Sequence, residues 1–169
     1  MGKQAMSALN PFNQYSFLLI AAGGLALLAA ALAVTGLTRR KASAWLVAAA
    51  ALAVAWLGLR TGPSEFQAAD QAELVIRAAE RPVLVEFYSD YCAGCLAAKP
   101  TLDALERDLK DHLQVIRLDV ASAAGRELGD QLDLRVTPTF ILFDTAGREI
   151  WRSLGSLDGP AVRAALDQS

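Results

Sequence analysis

Acidic side chains are missing from the first 64 residues of this 169-residue chain. The charges there are Lys3, Arg39, Arg40, Lys41 and Arg60, which gives the segment +5. The rest carries all 18 acidic residues against 11 basic ones, and stands at −7 behind an overall net charge of only −2. Such a division reads as two segments in two different solvents. Metal ligands are scarce as well. Cys92, Cys95 and His112 are the whole supply of cysteine and histidine, too few for the four ligands of a structural zinc site unless two chains share one. The acidic part has no basic patch, so nucleic acid is not an expected partner. It also has no internal repeat or low-complexity stretch, which excludes a repeat array.

What the first segment has instead is two long uncharged runs. Tyr15 to Thr38 is 24 residues long and Ala42 to Leu59 is 18, against the roughly 20 apolar residues that span a bilayer. Neither run shows a polar face, which disfavours a buried hairpin in a soluble protein. The first is too long for the core of a cleaved signal, and a second run follows it. Trp45 and Trp56 sit near the ends of the second run, where interfacial anchors belong. Ala22, Ala26 and Ala30 recur every fourth position in the first, so two helices can approach closely. The expected layout is an N-terminal tail at 1–14, membrane helices at 15–38 and 42–59 joined by a basic loop at 39–41, a linker at 61–66 and a soluble domain at 67–169. Arg39-Arg40-Lys41 is the densest positive cluster beside either run and belongs on the cytoplasmic side, which puts the soluble domain on the extracytoplasmic side. Lys3 and Arg60 pull the other way and leave an inverted topology as the alternative.

The soluble part alternates between two periodicities. Ala68 to Glu80 places Ala72, Val75, Ile76 and Ala79 at helical spacing, and Arg81-Pro82 stops that helix. Val83 to Tyr88 is almost continuously apolar, as in a strand covered on both faces. From Cys92 a second helix carries Leu96, Leu102, Leu105, Leu109 and Leu113 on one stripe, with a kink expected at Pro100. A strand at Leu113 to Val120, a helix at Ser122 to Leu132 capped by Ser122, and a strand at Thr139 to Phe143 follow. Asp144-Thr145-Ala146-Gly147 turns the chain into a paired strand at Glu149 to Leu154, and Gly159-Pro160 opens a last helix. The order α-β-α-β-α-β-β-α implies an α/β domain whose mixed four-stranded sheet has helices on both faces.

The spacing of Cys92-Ala93-Gly94-Cys95 gives the site candidate its chemistry. If a helix starts at the first cysteine, both sulfurs lie on one turn, and the unpaired N–H groups of that helix end stabilise a Cys92 thiolate. A thiolate beside a second thiol suffices for thiol–disulfide exchange. Glu86 interrupts the apolar run before it, and burying a carboxylate is costly.

Leu84-Val85-Glu86-Phe87-Tyr88-Ser89-Asp90-Tyr91-Cys92-Ala93-Gly94-Cys95, then Pro100, then Val136-Thr137-Pro138-Thr139, with Gly147 and Gly155 beyond, resembles the thioredoxin family over residues 66 to 168. The resemblance implies an exposed Cys92 as nucleophile and a more buried Cys95 that resolves the mixed disulfide, with no cofactor beyond the Cys92–Cys95 redox pair. It implies a cis peptide at Thr137-Pro138 presenting backbone groups to the substrate. It places Glu86 where the family holds a buried acid, usually aspartate, that takes the Cys95 proton through water; the alternatives are a carboxylate reaching solvent, or one paired with Arg117. Tyr91 stands where thioredoxins usually have tryptophan, as does Tyr88, whose simpler reading is core. Ala93-Gly94 replaces the commonest Gly-Pro and tunes the redox potential. With Thr137 and Pro138, these residues form the expected substrate surface. His112 and the acidic series Asp103, Glu106, Asp108 and Asp111 read as solvated.

The implied activity is a membrane-anchored protein-disulfide oxidoreductase acting on client proteins with disulfides or thiols. A buried acid resembles the reducing branch of the family more than the strong oxidants. Neither apolar run contains a cysteine, so reducing electrons must come from a separate transmembrane thiol carrier, and apocytochrome c is a plausible client by analogy with membrane-anchored relatives. A disulfide oxidase or isomerase, and a non-catalytic docking module, are the alternatives.

Overall fold

The computed structural model describes residues 10–36 and 38–168. Lys3, Leu37 and Ser169, and with them most of the expected tail, lie outside the described residues.

Two apolar helices form a hairpin. After a single turn, α1 (Pro11–Gln14), comes α2 (Ser16–Val34), followed by α3 (Arg39–Leu59). Helix α2 is apolar all round and α3 is so after its first turn, and both are long and apolar enough to cross a membrane. Packing within the chain buries neither of them. Trp45 Nε1 donates to the Leu25 carbonyl at 3.2 Å and ties the helices together.

The connection corrects the expected loop at 39–41. Arg39, Arg40 and Lys41 are the first turn of α3, because Thr38 caps that helix, its Oγ1 accepting from the Lys41 N–H. Lys41 Nζ then reaches back to the carbonyls of Thr35 and Gly36 at the end of α2. A cation there complements the negative end of the helix dipole. The second long helix therefore starts three residues earlier than composition indicates, and the first ends at Val34 rather than Thr38.

The segment at 61–66 is tied down. The N–H groups of Thr61 and Gly62 donate to the Asp90 carboxylate, the Tyr88 hydroxyl donates to the Gly62 carbonyl, and Ser64 Oγ accepts from the Asp119 N–H.

Then follow α4 (Ala69–Ala78), β1 (Val83–Tyr88), α5 (Ala93–Asp108), β2 (Gln114–Asp119), α6 (Ala123–Gln131), β3 (Thr139–Phe143), β4 (Glu149–Leu154) and α7 (Gly159–Leu166). The strand order is β2-β1-β3-β4, with β1 and β2 parallel and the other pairs antiparallel. Every residue of β1 is buried, as a central strand covered on both faces requires. Its residues alternate between two cores. Val83, Val85 and Phe87 pack with α4 and α6, among Ile76, Leu118, Leu128 and Ile141. Leu84 packs on the other side with Leu102, Leu105, Phe140, Leu142 and Val162, under α5 and α7. Glu86 and Tyr88 share the parity of Leu84, so Glu86 is directed beneath α5.

Helix α5 runs unbroken through Pro100. Gly147 closes the β3–β4 turn at φ +72°, a left-handed conformation that favours glycine.

Candidate active site

Cys92 caps α5. Its backbone is extended, and its Sγ accepts the Cys95 N–H at 3.3 Å. Across from it the Thr137-Pro138 peptide is cis and leads into β3. The Cys92 thiol donates to the Thr137 carbonyl at 3.3 Å, and the Pro138 carbonyl accepts from Gly155 N–H at 2.7 Å. Gly94 fits against this turn because it has no side chain: a Cβ there would lie 3.2 Å from Pro138 Cδ and 3.6 Å from the Gly155 carbonyl.

Hydrogen bonding and burial drive the two thiols to opposite ends of the titration range. The Cys95 thiol, hydrogen-bonding to Cys92, is the largest influence holding Cys92 down to about 6, with the Thr137 side-chain hydroxyl and the N–H groups of Cys95 and Gly94 adding to it against the opposing effect of burial. Burial, and then the bond to Cys92, push Cys95 far above the ordinary thiol range. Near neutral pH, Cys92 is the thiolate of the pair and Cys95 its proton-bearing partner.

Glu86 is 1% exposed, and burial raises its carboxyl to about 7, with Arg117 the main opposing influence. Neither carboxylate oxygen has a hydrogen-bond partner among the described residues. Arg117 Nε stands 3.6 Å from Oε2, a charge contact rather than a hydrogen bond. Of the two alternatives for Glu86, reaching solvent is eliminated, while proximity to Arg117 is real but leaves the carboxylate unsatisfied. Arg117 is itself gripped by Asp103 Oδ1 at 2.9 Å and Glu106 Oε2 at 2.7 Å, and Lys99 bonds Asp103 at 2.6 Å. The acidic series on α5 thus differs from the expected solvated face. Asp103 and Glu106 are half-buried and hold Arg117, whereas Asp111 and His112 are exposed and Asp108 pairs on the surface with Arg163.

Cys92 is not exposed, contrary to the expectation for a nucleophile at a helix start: it is fully buried. The chain around the start of α2 bonds to the residues flanking Cys92. Asn13 Oδ1 accepts the Thr137 N–H at 2.6 Å and the Thr137 hydroxyl at 3.0 Å, while Asn13 Nδ2 donates to the Thr137 carbonyl at 2.9 Å. Ser16 Oγ accepts the Ala93 N–H at 3.0 Å, the Phe17 N–H donates to the Tyr91 carbonyl, and the Ser89 hydroxyl donates to the Gln14 carbonyl. Tyr91, 39% exposed, stacks on Trp56 of α3 at 5.9 Å and 13°, with Tyr15 at 6.0 Å on another side. Trp56 Nε1 donates to the Asp90 carbonyl at 2.8 Å.

The structure therefore brings Cys92, Cys95, Ala93, Gly94, Thr137 and Pro138 together, with Glu86 beneath and Tyr91 at the edge. Tyr88 is core, fully buried with its hydroxyl on the linker. Sequence reasoning missed Asn13 and Ser16, and it read Trp56 only as an interfacial anchor and Asp90 only as part of the family motif, whereas Trp56 stacks on Tyr91 and bonds the Asp90 carbonyl. The Asn10-Pro11 pair does carry a helix-start signal, with Asn10 Oδ1 accepting from the Phe12 N–H.

A cysteine pair at the start of the helix after the central strand, facing a cis proline before an antiparallel hairpin, marks the thioredoxin-fold class. The family model described as Thioredoxin matches residues 64–168, and the chain belongs to the thioredoxin family. It is 32% identical over 90 residues to the thiol:disulfide interchange protein TxlA of Synechococcus elongatus, covering 52% of this chain and 46% of that protein. With the TxlA homologue of Synechocystis it is 32% identical over 123 residues, covering 69% and 67%. Among solved structures, chloroplastic thioredoxin z superposes with a TM-score of 0.54 at 21% identity, over 64% of this chain and 95% of that one. The chain spans under half the length of the Synechococcus relative and two thirds of the Synechocystis one.

Proposed function

We propose that this chain is a membrane-anchored thiol–disulfide oxidoreductase that reduces disulfides of extracytoplasmic proteins. The divided pair, a Cys92 thiol held down beside a Cys95 thiol held up, supports the exchange chemistry, and the observation that carries the reducing direction is the buried, unsatisfied Glu86 carboxylate, which resembles the reducing branch of the family. The Cys92 thiolate attacks one sulfur of a client disulfide. A mixed disulfide forms, and the other client sulfur leaves as a thiolate that takes a proton from solvent. Cys95 loses its proton toward Glu86 and attacks Cys92 Sγ, which releases the second client thiol and leaves the Cys92–Cys95 disulfide. Two electrons have moved from the chain to the client, and no cofactor takes part.

A second dithiol must then restore the pair. With no cysteine in α2 or α3, we assign that step to a transmembrane thiol carrier. The two unburied apolar helices support the anchor, and the basic turn at Arg39 to Lys41 supports an extracytoplasmic domain. Apocytochrome c thiols are a fitting client class, since they must be reduced before haem is attached. The relatives named for thiol:disulfide interchange support the chemistry.

One observation favours the opposite direction. Stabilising the Cys92 thiolate stabilises the reduced form and so raises the reduction potential, the route by which strong oxidants are built. The test is the reduction potential of the full chain, together with insulin reduction by wild type and Cys92→Ser. A reductase gives a potential well below about −180 mV, the range where isomerases begin, and loses all insulin reduction in Cys92→Ser. A higher potential makes it an oxidase or isomerase, and activity indifferent to Cys92→Ser makes it a docking module.

A further inference from the structure

We infer that the segment Asn10 to Phe17 is an intramolecular lid, which shuts the dithiol by seating the Asn13 carboxamide on Thr137. The inference rests on the reading of Cys92 as the reacting thiol and adds a closed resting state to it.

Three groups at the mouth of the dithiol are taken by the chain itself. The first is the Thr137 backbone. Its N–H and C=O both bond to Asn13, at 2.6 and 2.9 Å, so one side-chain amide satisfies the donor and the acceptor of one residue. That two-bond pattern is the one an extended strand makes with an antiparallel neighbour. Any extended client segment laid against Thr137 competes with Asn13 for the same two groups. The second is the Ala93 N–H at the start of α5, which points to Ser16 Oγ at 3.0 Å. This donor belongs to the positive helix end that faces the Cys92 sulfur. The third is the sulfur, fully buried although it caps a helix end.

The lid is continuous with α2. The Phe17 N–H in the first turn of that helix donates to the Tyr91 carbonyl, and Tyr15, between α1 and α2, packs on Tyr91, whose ring stacks on Trp56 of α3. The dithiol is therefore closed by the same helix end that leads into the apolar hairpin. Opening needs Asn13 to leave Thr137, and it needs no change in the sheet, since the lid contributes nothing to either core. Reactivity of Cys92 is then its intrinsic reactivity scaled by the fraction of open molecules.

The test uses the full reduced chain in detergent micelles and iodoacetamide as a small probe that needs no client. The alkylation rate of Cys92 is followed by peptide mass spectrometry in wild type, Asn13→Ala and Ser16→Ala. Asn13→Ala should react faster by about tenfold or more, since it removes three hydrogen bonds each contributing at least of order twofold and their factors multiply; Ser16→Ala should fall between it and wild type. Equal rates in all three overturn the lid. A measurement without substitution stands beside it, hydrogen–deuterium exchange of wild-type segments containing Ala93 and Thr137. Protection that is lost in Asn13→Ala supports the lid, and exchange at the speed of an open loop in wild type overturns it. Faster alkylation in a chain that fails to reduce insulin sinks the proposed activity and leaves the lid standing.

Discussion

Arg117 stands 3.6 Å from the buried Glu86 carboxylate, directly opposite it in the β1–β2 register. It spends its closer bonds on Asp103 and Glu106, at 2.9 and 2.7 Å. Two acids on α5 thus hold a cation near, but not on, a third acid beneath the cysteines. A full ion pair would fix Glu86 as an anion, and no cation at all would leave it neutral at physiological pH. The intermediate arrangement holds it at about 7, where it can both take and return a proton.

The raised carboxyl has a stability consequence with a definite sign. Glu86 titrates at about 7 in the folded chain, against 4.5 for an ordinary solvated glutamate, so the folded state binds the extra proton between those values. Stability from this group is full below pH 4.5 and is lost as the pH rises to 7, by about 3 kcal/mol. Glu86→Gln lacks this slope. Urea unfolding at pH 4.5 and pH 8 should show the variant gaining on wild type by roughly that amount at the higher pH. A pH-independent difference refutes a buried titrating carboxylate.

Removing the cation should raise the Glu86 carboxyl further, because Arg117 is the main influence opposing burial. In Arg117→Met the rising limb of the pH profile for insulin reduction should move to higher pH, by about one pH unit or more. An unmoved limb means that Glu86 does not set the rate of resolution.

Cys92 should titrate as a thiolate with a midpoint near 6, measured by absorbance at 240 nm in a Glu86→Gln background that keeps the two titrations apart. The thiolate is present above that pH and lost below it. Cys95→Ser exchanges the thiol that is the largest cause of the lowering for a hydroxyl, and the midpoint should change measurably. Cys95→Ala removes the donor altogether and should raise it toward the ordinary thiol range. A midpoint unmoved in Cys95→Ala contradicts that origin.

The parts of this fold written in contiguous residues were legible in sequence. Val83 to Tyr88 has one reading as a central strand, and Asp144 to Gly147 is bounded by two strands that pair across it. The cysteine pair and Thr137-Pro138 were legible because their order follows a family pattern. What escaped depends on contacts between distant residues. Asn13 meets Thr137 across 124 positions, and nothing near Asn13 announces the pairing. Asp103 and Glu106 have the spacing of an exposed face, and only the position of Arg117 on β2 turns them inward. Arg39 to Lys41 looked like a loop because charge interrupts the apolar run, whereas Thr38 and Lys41 supply local caps that hold those residues in the helix.

The placement of the hairpin makes topology testable at one residue. The start of α2 and the end of α3 both lie against the domain, through Phe17 to Tyr91 and Trp56 to Asp90. The basic turn lies at the far end, about 28 Å away along a 19-residue helix. Membrane orientation follows basic residues beside the spans, and three of them cluster in that turn. In a Cys92→Ser, Cys95→Ser background, Gln168→Cys places a single thiol on an exposed position of the domain. A membrane-impermeant maleimide added to intact cells should label it. Replacing Arg39, Arg40 and Lys41 together by serine leaves Arg60 and Lys3 as the charges flanking the spans, and labelling should fall as molecules insert the other way round. Labelling only after the membrane is opened places the domain in the cytoplasm and removes the need for a transmembrane electron carrier.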